Sequence, residues 1–534
     1  MVHRRKLYKL LVLSAAVVLL LVLPVQAAER IYFNYGLLGR SVTIEQLATF
    51  AKTGELEGSL ALLKWLSPER RAQIQAVLQL RYPVDPIMVD RFAYTSSGER
   101  LFRELGELIQ SEAYQNGARG LRSAAILATA NPDGVSIIGF LQQFPTDMRI
   151  DLRRVLAFAQ RVSGILKQTQ QAVVSLNQQT AQAASQESGL SFEQLPDLRQ
   201  SGSFVYQKQS LNLYDTERQR QIFGDLYLPI TENTAIPVIV MSNGLGAGRD
   251  RFDEIAHHLA SHGFAIATLD HPGSDRQRLR EFYAGLHREN FDATEYLDRP
   301  KDISFLLDQL EQLNQTQLGQ RLNLERVGIF GYSFGGSTAL SLAGAEIDFA
   351  YLQQDCQTET GLVNISLIYQ CRALELPRDP VALKDERIQA AFMFVPFGKS
   401  LFGTTGMAEV TIPIFWEVTD LDILTPLVVE QLPTFAALTT TPRYLSVTQG
   451  LPHARVTYDI LGRFTAAKTP WEDLKAIAHS YQNALSLAFF KLYIEQDEQY
   501  RSYLTAAYAK ALTQAPYSLS LVQTIDEEII QPVN

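Results

Sequence analysis

The spacing of apolar and polar positions changes twice along the chain of 534 residues. Between Arg30 and about Arg154 the apolar residues recur at helical spacing. Helix-start signals stand at Thr43-Ile-Glu-Gln46, at Ser67-Pro68 and at Asn131-Pro132. No run of alternating strand residues interrupts them. The pattern predicts an all-α domain over residues 28–155.

Residues 156–202 are rich in glutamine, with alanine and serine between the glutamines. Apolar residues from Val162 to Leu176 keep a helical spacing, which predicts one amphipathic helix to about Ala184 and then a linker. The alternative is a disordered polar linker throughout.

From Ser203 onward, short apolar runs alternate with helical segments. Ser203–Tyr214 and Ile222–Leu228 are predicted to form a hairpin, and 203–496 is predicted to be one α/β domain with a mostly parallel sheet and helices on both faces. A C-terminal helix and tail follow over 497–534. The predicted sheet strands are Ile236–Met241, Phe264–Leu269, Val327–Phe330, Ala390–Val395, Ile412–Val418 and Tyr444–Val447.

The first residues resemble an export signal. Basic residues precede an apolar run from Leu10 to Leu23, and Val25-Gln-Ala27 follows as a cleavage site. We predict a signal peptide over 1–27 and an exported protein, periplasmic or extracellular. The alternative is an uncleaved N-terminal membrane anchor.

Charge and cysteine content exclude several classes of function. With 48 basic and 57 acidic residues the net charge is −9, so a nucleic-acid partner is not expected. Two cysteines exclude a cysteine-rich metal module, and we predict neither a metal nor a cofactor. In an oxidising compartment Cys356 and Cys371 are expected to form a disulfide; two separate buried thiols are the alternative.

A G-x-S-x-G motif supplies the candidate nucleophile. The apolar strand ending at Phe330 leads into Gly331-Tyr-Ser-Phe-Gly335, and a helix of small residues follows. Such a sharp turn holds the serine hydroxyl above the sheet, at the positive end of the next helix. Ser333 is therefore the predicted nucleophile. The alternative is a glycine-rich turn with a capping serine.

The acid and the base are expected after later strands, in the order Ser, Asp, His. Asp420 and Asp422 follow one strand, and His453 follows the next. We favour Asp422 over Asp420, because it stands four residues before Pro426. We favour His453 over His479, because His479 lies inside a helical run.

A glycine-rich loop after the first parallel strand is the candidate oxyanion site. The amides of Leu245 and Phe334 are predicted to face the developing oxyanion. A dinucleotide site would need a third glycine at the position of Arg249, although Asp270 could mimic the ribose acid. The histidines at 257, 258 and 262 lack the H-E-x-x-H arrangement of a zinc site.

At these motifs the sequence resembles the α/β-hydrolase superfamily. Ser242–Ala247, Leu259–Phe264 and Gly331–Gly336 resemble its platelet-activating-factor acetylhydrolase and dienelactone hydrolase branch. Residues 28–155, with Tyr35-Gly36 and Ser41–Leu47, resemble the helical domain of unknown function that precedes such hydrolases in cyanobacterial proteins. The resemblance implies an α/β-hydrolase fold preceded by the all-α domain.

The sequence departs from that branch at two places. Asn243 stands where the acetylhydrolases usually have histidine, and Pro396-Phe-Gly398 stands where they have their acid. These departures argue against acetylhydrolase activity and leave Asp422 as the acid in the general superfamily position. The insertion 346–387, which holds both cysteines, could form a cap over the site.

These features predict a secreted serine hydrolase that cleaves carboxylic esters of small molecules or lipids through an acyl-enzyme. A catalytically silent binding protein of the same fold and an acyltransferase with the same triad are the alternatives. The N-terminal domain could contact a membrane surface, contact a partner or act as a lid.

Overall fold

The computed structural model describes residues 27–36, 38–187, 192–379, 381–461 and 469–529. The predicted signal peptide lies outside these ranges, apart from its last residue. The chain divides into two compact units, one of residues 1–94 and 98–158 and one of residues 95–97 and 159–534. No helix within the described ranges has the length and hydropathy of a membrane span.

The first unit is mainly helical, but the prediction that it is all-α is wrong. Its strands are two to six residues long. β1 and β2 form a local hairpin, but the other pairs join segments that are distant in the sequence, as β1 does with β6. One sheet has the order β2-β1-β6-β4, and β3 pairs with β5. The strands are β1 (Arg30–Tyr35), β2 (Leu38–Thr43), β3 (Arg81–Tyr82), β4 (Ile109–Ser111), β5 (Val135–Ser136) and β6 (Met148–Asp151).

Two of the three helix starts in this region are where the sequence predicts them. Thr43 and Gln46 form a capping box, and Ser67 caps the helix that begins at Pro68. The third prediction is wrong, because Asn131 accepts a bond from the Asp133 amide in a turn and the next helix is capped by Ser136. The helices are α1 (Ile44–Thr53), α2 (Pro68–Gln79), α3 (Pro86–Ala93), α4 (Ser96–Leu108), α5 (Ala118–Ala128) and α6 (Ile137–Gln142).

The glutamine-rich region forms the long helix α7 (Leu152–Gln186), which ends two residues beyond the predicted Ala184. Its buried positions include Ile165, Val173 and Leu176, three of the apolar residues that carried the helical spacing, whereas Leu166 and Val174 are exposed. The amphipathic pattern therefore identified the helix despite its polar composition.

A nine-stranded sheet organises the second unit, with the order β15-β14-β13-β12-β11-β9-β10-β8-β7. The strands from β9 to β14 run parallel, and β7, β8 and β15 are antiparallel to their neighbours. All the predicted sheet strands are present, and so is the hairpin. The strands are β7 (Tyr206–Asp215), β8 (Arg220–Pro229), β9 (Ile236–Ser242), β10 (Ala265–Leu269), β11 (Leu322–Tyr332), β12 (Ile388–Phe394), β13 (Ile414–Thr419), β14 (Arg443–Thr448) and β15 (Leu519–Val522).

Helices cover both faces of this sheet. In β9, Val238 and Val240 belong to one core, while Ile239 and Met241 belong to the core on the other face. The helices are α8 (Asp253–Ser261), α9 (Arg276–Tyr283), α10 (Glu295–Thr316), α11 (Phe334–Leu342), α12 (Phe349–Thr358), α13 (Ile365–Gln370), α14 (Lys399–Ala408), α15 (Leu432–Ala436), α16 (Arg455–Leu461), α17 (Trp471–Tyr493) and α18 (Ala506–Leu512). This is the α/β-hydrolase fold.

The C-terminal region differs from its prediction. The single helix predicted at the start of 497–534 is divided at Thr505. Its extended backbone ends a 3₁₀ helix over Glu498–Leu504, and its side chain caps α18. The tail then adds β15 to the edge of the sheet, antiparallel to β14.

Candidate active site

Ser333 stands in a strained turn between β11 and α11. Its φ is 53° and its ψ is −116°, a combination that residues with a Cβ rarely adopt. The chain can approach itself this closely only at glycine: a Cβ on Gly335 would lie 1.8 Å from the Ser242 carbonyl oxygen, and one on Gly331 would lie 2.4 Å from the Gly335 oxygen. The turn leaves Ser333 partly exposed at the N-terminus of α11.

The predicted base, His453, lies within hydrogen-bond distance of Ser333, and the predicted acid, Asp422, lies within that distance of His453. His453 Nε2 is 3.2 Å from Ser333 Oγ, and His453 Nδ1 is 2.6 Å from Asp422 Oδ2. Asp422 follows β13 and His453 follows β14, so the ends of neighbouring parallel strands bring the three side chains together.

The Asp422 carboxylate is held in its charged form. Its Oδ1 accepts bonds from the amides of Leu424 and Thr425, and its Oδ2 accepts a bond from the Thr425 hydroxyl. Burial alone would raise the pKa of Asp422, but the neighbouring His453 and the hydrogen bonds from His453 and Thr425 lower it. Asp422 is therefore ionised behind the imidazole at neutral pH.

The rejected alternatives have other partners. Asp420 accepts a bond of 2.7 Å from the Gly450 amide, in the loop that leads to His453. His479 lies in α17 and pairs with Glu254. Neither side chain belongs to the Ser333 hydrogen-bond chain.

The predicted oxyanion residues lie beside the nucleophile. Leu245 and Phe334 line the same cavity as Ser333 and His453. The loop after β9 is fixed at Gly246, whose amide donates to the Ser274 carbonyl at 2.8 Å. At Asn243, where the resemblance led us to expect histidine, the buried side chain donates to the Leu269 carbonyl at 3.1 Å.

The cavity beside Ser333 has a volume of about 250 Å³ and mainly apolar walls. Ile365, Ser366 and Tyr369 of α13 form part of its lining, so the insertion 346–387 contributes residues to the cavity wall. Its further lining residues include Phe291, Tyr296, Phe334, Phe397 and Leu424.

Cys356 and Cys371 form the predicted disulfide, with their Cα atoms 5.9 Å apart. The bond joins α12 to the residue that directly follows α13. It therefore fastens the segment that supplies part of the cavity wall.

Glu430 is a fully buried glutamate that the sequence did not identify as part of the site. Its Oε1 accepts bonds from the amides of Gly398 and Lys399, and its Oε2 accepts a bond of 2.7 Å from Asn364. Gln370 at the end of α13 donates to both oxygens. No local motif marks this residue, because its partners are distant in the sequence.

The side chains considered for a dinucleotide site or a zinc site have hydrogen-bond partners within the protein. The amide of Arg249 donates to Asp270 Oδ1 at 2.7 Å, and its guanidinium pairs with Asp270 and Asp225. His257 bonds to the Tyr206 hydroxyl and His262 to the Gln200 carbonyl. Within the described ranges no group of three or more His, Cys, Asp or Glu residues could hold a metal ion.

Two family models match separate parts of the chain. Residues 27–151 match the family described as alpha/beta hydrolase of unknown function (DUF1400). Residues 237–348 match the family described as alpha/beta hydrolase fold. The second match includes the loop after β9 and Ser333, and it ends before Asp422 and His453.

Two curated proteins are similar over shorter stretches. One, from Arthroderma benhamiae, is a probable 1-alkyl-2-acetylglycerophosphocholine esterase, 31% identical over 21% of this chain and 28% of its own length. The other is the platelet-activating factor acetylhydrolase of Canis lupus familiaris, 24% identical over 22% of this chain and 35% of its own length. The matched regions thus span about a third of these relatives, and the similarity supports the predicted branch. The second unit therefore has the α/β-hydrolase fold, and the chain is similar to the α/β-hydrolases over the residues that the two family models match.

Proposed function

We propose that this protein is a serine hydrolase that cleaves carboxylic esters through an acyl-enzyme on Ser333. The observation that carries the proposal is the chain of hydrogen bonds from Ser333 through His453 to Asp422, which starts at a strained turn beside an apolar cavity. A separation of 3.2 Å between nucleophile and base argues against a catalytically silent protein of the same fold.

The roles of the three side chains follow from their contacts. His453 Nε2 takes the proton from Ser333 Oγ as the oxygen attacks the ester carbonyl carbon. His453 then gives that proton to the leaving alkoxide, and the acyl group stays on Ser333. Water, deprotonated by the same nitrogen, releases the acid. Asp422 holds the imidazole tautomer and stabilises its cation.

The oxyanion of each tetrahedral intermediate needs donors on the side opposite His453. We assign this role to the backbone amides of Leu245 and Phe334, which belong to residues lining the cavity. Phe334 is also the first residue of α11, so the positive end of that helix supports a negative charge there.

The acyl group is proposed to occupy the cavity of about 250 Å³. Aromatic side chains dominate its lining, and no Asp, Glu, Lys or Arg side chain is among the lining residues. We therefore expect uncharged, hydrophobic acyl groups larger than acetyl. The names of the two relatives point to ester chemistry but bring no acyl length to this chain.

Export is part of the proposal. The first 27 residues resemble a signal peptide, which would direct export. The disulfide would persist in the oxidising compartment that an exported protein reaches. We also propose that the N-terminal unit contacts a membrane surface, for which its exposed apolar side chains are the support.

Substitution of the nucleophile is the decisive experiment. Ser333→Ala should lower kcat on p-nitrophenyl esters by on the order of 10⁴-fold or more and abolish fluorophosphonate labelling. Asp422→Asn should lower kcat by on the order of 10⁴-fold, because the imidazole loses its tautomer. Asp420→Asn is the matched control and should stay within a few-fold of wild type.

Full labelling of the Ser333→Ala protein would disprove the proposal. Product analysis with competing alcohols separates hydrolysis from acyl transfer, because a transferase would form the new ester in preference to the acid.

A further inference from the structure

A second serine–histidine–aspartate chain lies buried behind the loop that follows β9. Ser242 Oγ is 3.0 Å from His271 Nε2, and His271 Nδ1 is 3.0 Å from Asp302 Oδ2. All three residues have no solvent-accessible surface. No substrate can reach this serine, so the arrangement must act through the residues it holds.

The protonation of this chain is fixed by its surroundings. Burial and the neighbouring Arg299 cation lower the pKa of His271 to about 3, so its ring is neutral. Burial would raise the pKa of Asp302, but the hydrogen bond from His271 and the nearby Arg220 lower it. A neutral ring that donates from Nδ1 to a carboxylate has its Nε2 free to accept from the Ser242 hydroxyl.

Arg299 holds the next residue of the same loop. Its Nη2 donates to the Asn243 carbonyl oxygen and, at 3.2 Å, to Asn243 Oδ1. Burial lowers the pKa of the guanidinium to about 10, which leaves it charged at neutral pH. Nε and Nη1 have no acceptor among the described residues, so the contact with Asn243 is its principal anchor.

The same guanidinium also contacts the other half of the proposed oxyanion site. Its central carbon lies 4.4 Å from the centre of the Phe334 ring, within the range of a cation–π contact. One buried cation thus touches Asn243, two residues before Leu245, and Phe334 itself. These are the segments that supply the two proposed amide donors.

We propose that Ser242, His271, Asp302 and Arg299 are positioning residues for the oxyanion site. They hold the Ser242–Gly246 loop against the Ser333 turn, so that the Leu245 and Phe334 amides keep their spacing. The inference rests on the proposed serine-hydrolase function and goes beyond it, since none of the four touches substrate.

The Ser242–Gly246 loop packs so closely against the Ser333 turn that small displacements matter. Several hydrogen bonds are therefore needed to hold it in place. A Cβ on Gly335 would lie 1.8 Å from the Ser242 carbonyl, so β9 and the Ser333 turn are in direct contact. The hydrogen bond from the Gly246 amide to the Ser274 carbonyl holds the far end of the loop. A small shift at Ser242 or Asn243 therefore moves the Leu245 amide relative to Ser333.

The test compares transition-state binding with substrate binding in Ser242→Ala and Arg299→Lys. Losing an oxyanion donor costs on the order of 100-fold or more in kcat, and a displaced donor should cost part of that. We expect kcat on a p-nitrophenyl ester to fall about 10-fold with KM within about 3-fold of wild type. The inhibition constant of a trifluoromethyl ketone, which forms an oxyanion on Ser333, should rise by the same factor as kcat/KM falls.

Ser261→Ala is the matched control, because Ser261 is also buried and bonds to the His258 carbonyl and the Gly202 amide. It should change neither constant. If Arg299→Lys fails to fold, Ser242→Ala carries the test, since it removes one oxygen atom only.

Folded Ser242→Ala protein with wild-type kcat and wild-type ketone binding would overturn the inference while the function stands. A loss of activity through a raised KM, with ketone binding unchanged, would also overturn it. A wild-type protein that neither cleaves esters nor binds the ketone would instead refute the proposed function, and this inference with it.

Discussion

Glu417 is a carboxylic acid on the buried middle strands of the sheet. Its side chain is 1% exposed, and its Oε2 has no hydrogen-bond partner among the described residues. Burial raises the pKa of Glu417 to about 8, and a hydrogen bond with Gln482 only partly opposes that shift. The side chain is therefore neutral at pH 7 in the folded protein.

This proton links stability to pH. The ordinary pKa of a glutamate is 4.5, so between pH 4.5 and 8 the folded chain binds more protons at Glu417 than the unfolded chain does. The contribution of Glu417 protonation to the free energy of unfolding is complete below pH 4.5 and is lost as the pH rises through 8. The largest slope that one group can give is about 1.4 kcal/mol per pH unit.

Glu417→Gln removes this titration and keeps the shape of the side chain. We expect the variant's unfolding free energy to decline less steeply than that of the wild type between pH 5 and 8, by up to about 1 kcal/mol per pH unit. Denaturant melts at several pH values measure it. Glu325→Gln, at an exposed glutamate, should keep the wild-type slope. Equal slopes for all three proteins would contradict the prediction.

At the residue scale, the sequence indicated those site residues whose place follows from the sheet. Ser333 directly follows β11, and Asp422 and His453 lie in the loops that follow β13 and β14. The ends of parallel strands meet at one edge of the sheet. Glu430, His271 and Arg299 were not predicted. Their partners come from segments that are far apart in the sequence, and no spacing rule links a buried side chain to such partners.

At the scale of elements, the disulfide and α13 form one unit of the cavity wall. Cys371 directly follows Gln370, the last residue of α13, and its bond to Cys356 closes a loop of 15 residues. In the chain-entropy model such a cross-link is worth about 3 kcal/mol. Ile365 and Tyr369 of α13 line the cavity, so loosening this loop should change the fit of bulky acyl groups most.

Removing the bond should therefore affect stability and chain-length preference together. For the double variant Cys356→Ser, Cys371→Ser we expect an unfolding free energy lower by about 2–4 kcal/mol. We also expect KM to rise several-fold for octanoyl esters and little for acetyl esters. Calorimetry and an ester panel measure the two effects.

A reducing agent serves as the control. It should convert the wild type to the behaviour of the double variant and leave the double variant unchanged. An unchanged octanoyl KM in both cases would show that the disulfide does not shape the cavity.

Elements with a strong period were predicted well, and short ones were not. The buried parallel strands read as continuous apolar runs, and α7 has a regular amphipathic stripe. The strands of the first unit and β15 are short. Apart from the β1–β2 hairpin they pair with distant segments, so their pairing decides their structure and their local sequence does not.

At the scale of the whole molecule, the first unit exposes several large apolar side chains to solvent. Trp65 is 89% exposed, Leu38 is 75% exposed and Leu62 is 53% exposed, with the exposed Lys64 beside Trp65. Tryptophan and lysine together are typical of side chains that lie at a membrane–water interface. These residues are the basis of the proposed membrane contact.

Vesicle binding tests that contact. We expect the full chain to sediment with vesicles that contain anionic lipid, and Trp65→Ser and Leu38→Ser each to weaken binding several-fold. Leu286→Ser is the control, because Leu286 is 71% exposed on the second unit. Binding that the two substitutions leave unchanged, or that Leu286→Ser weakens equally, would contradict a specific contact.

The fold class of the second unit could be predicted in full, because alternating strands and helices admit few topologies. The first unit was predicted as all-α. Its capping motifs marked two helix starts correctly, but no motif marked its short strands.

The buried carboxylate of Glu430 has a consequence for how substrates enter. Its Oε1 accepts bonds from the amides of Gly398 and Lys399 and from the side chain of Gln370, the last residue of α13. Its Oε2 accepts bonds from Gln370 and from Asn364, which directly precedes α13. Moving α13 away from the cavity would break several hydrogen bonds to a fully buried carboxyl group. α13 and the Gly398-Lys399 segment should therefore move together, so the cavity would keep one shape, and that fixed shape would select the substrates of the proposed hydrolase.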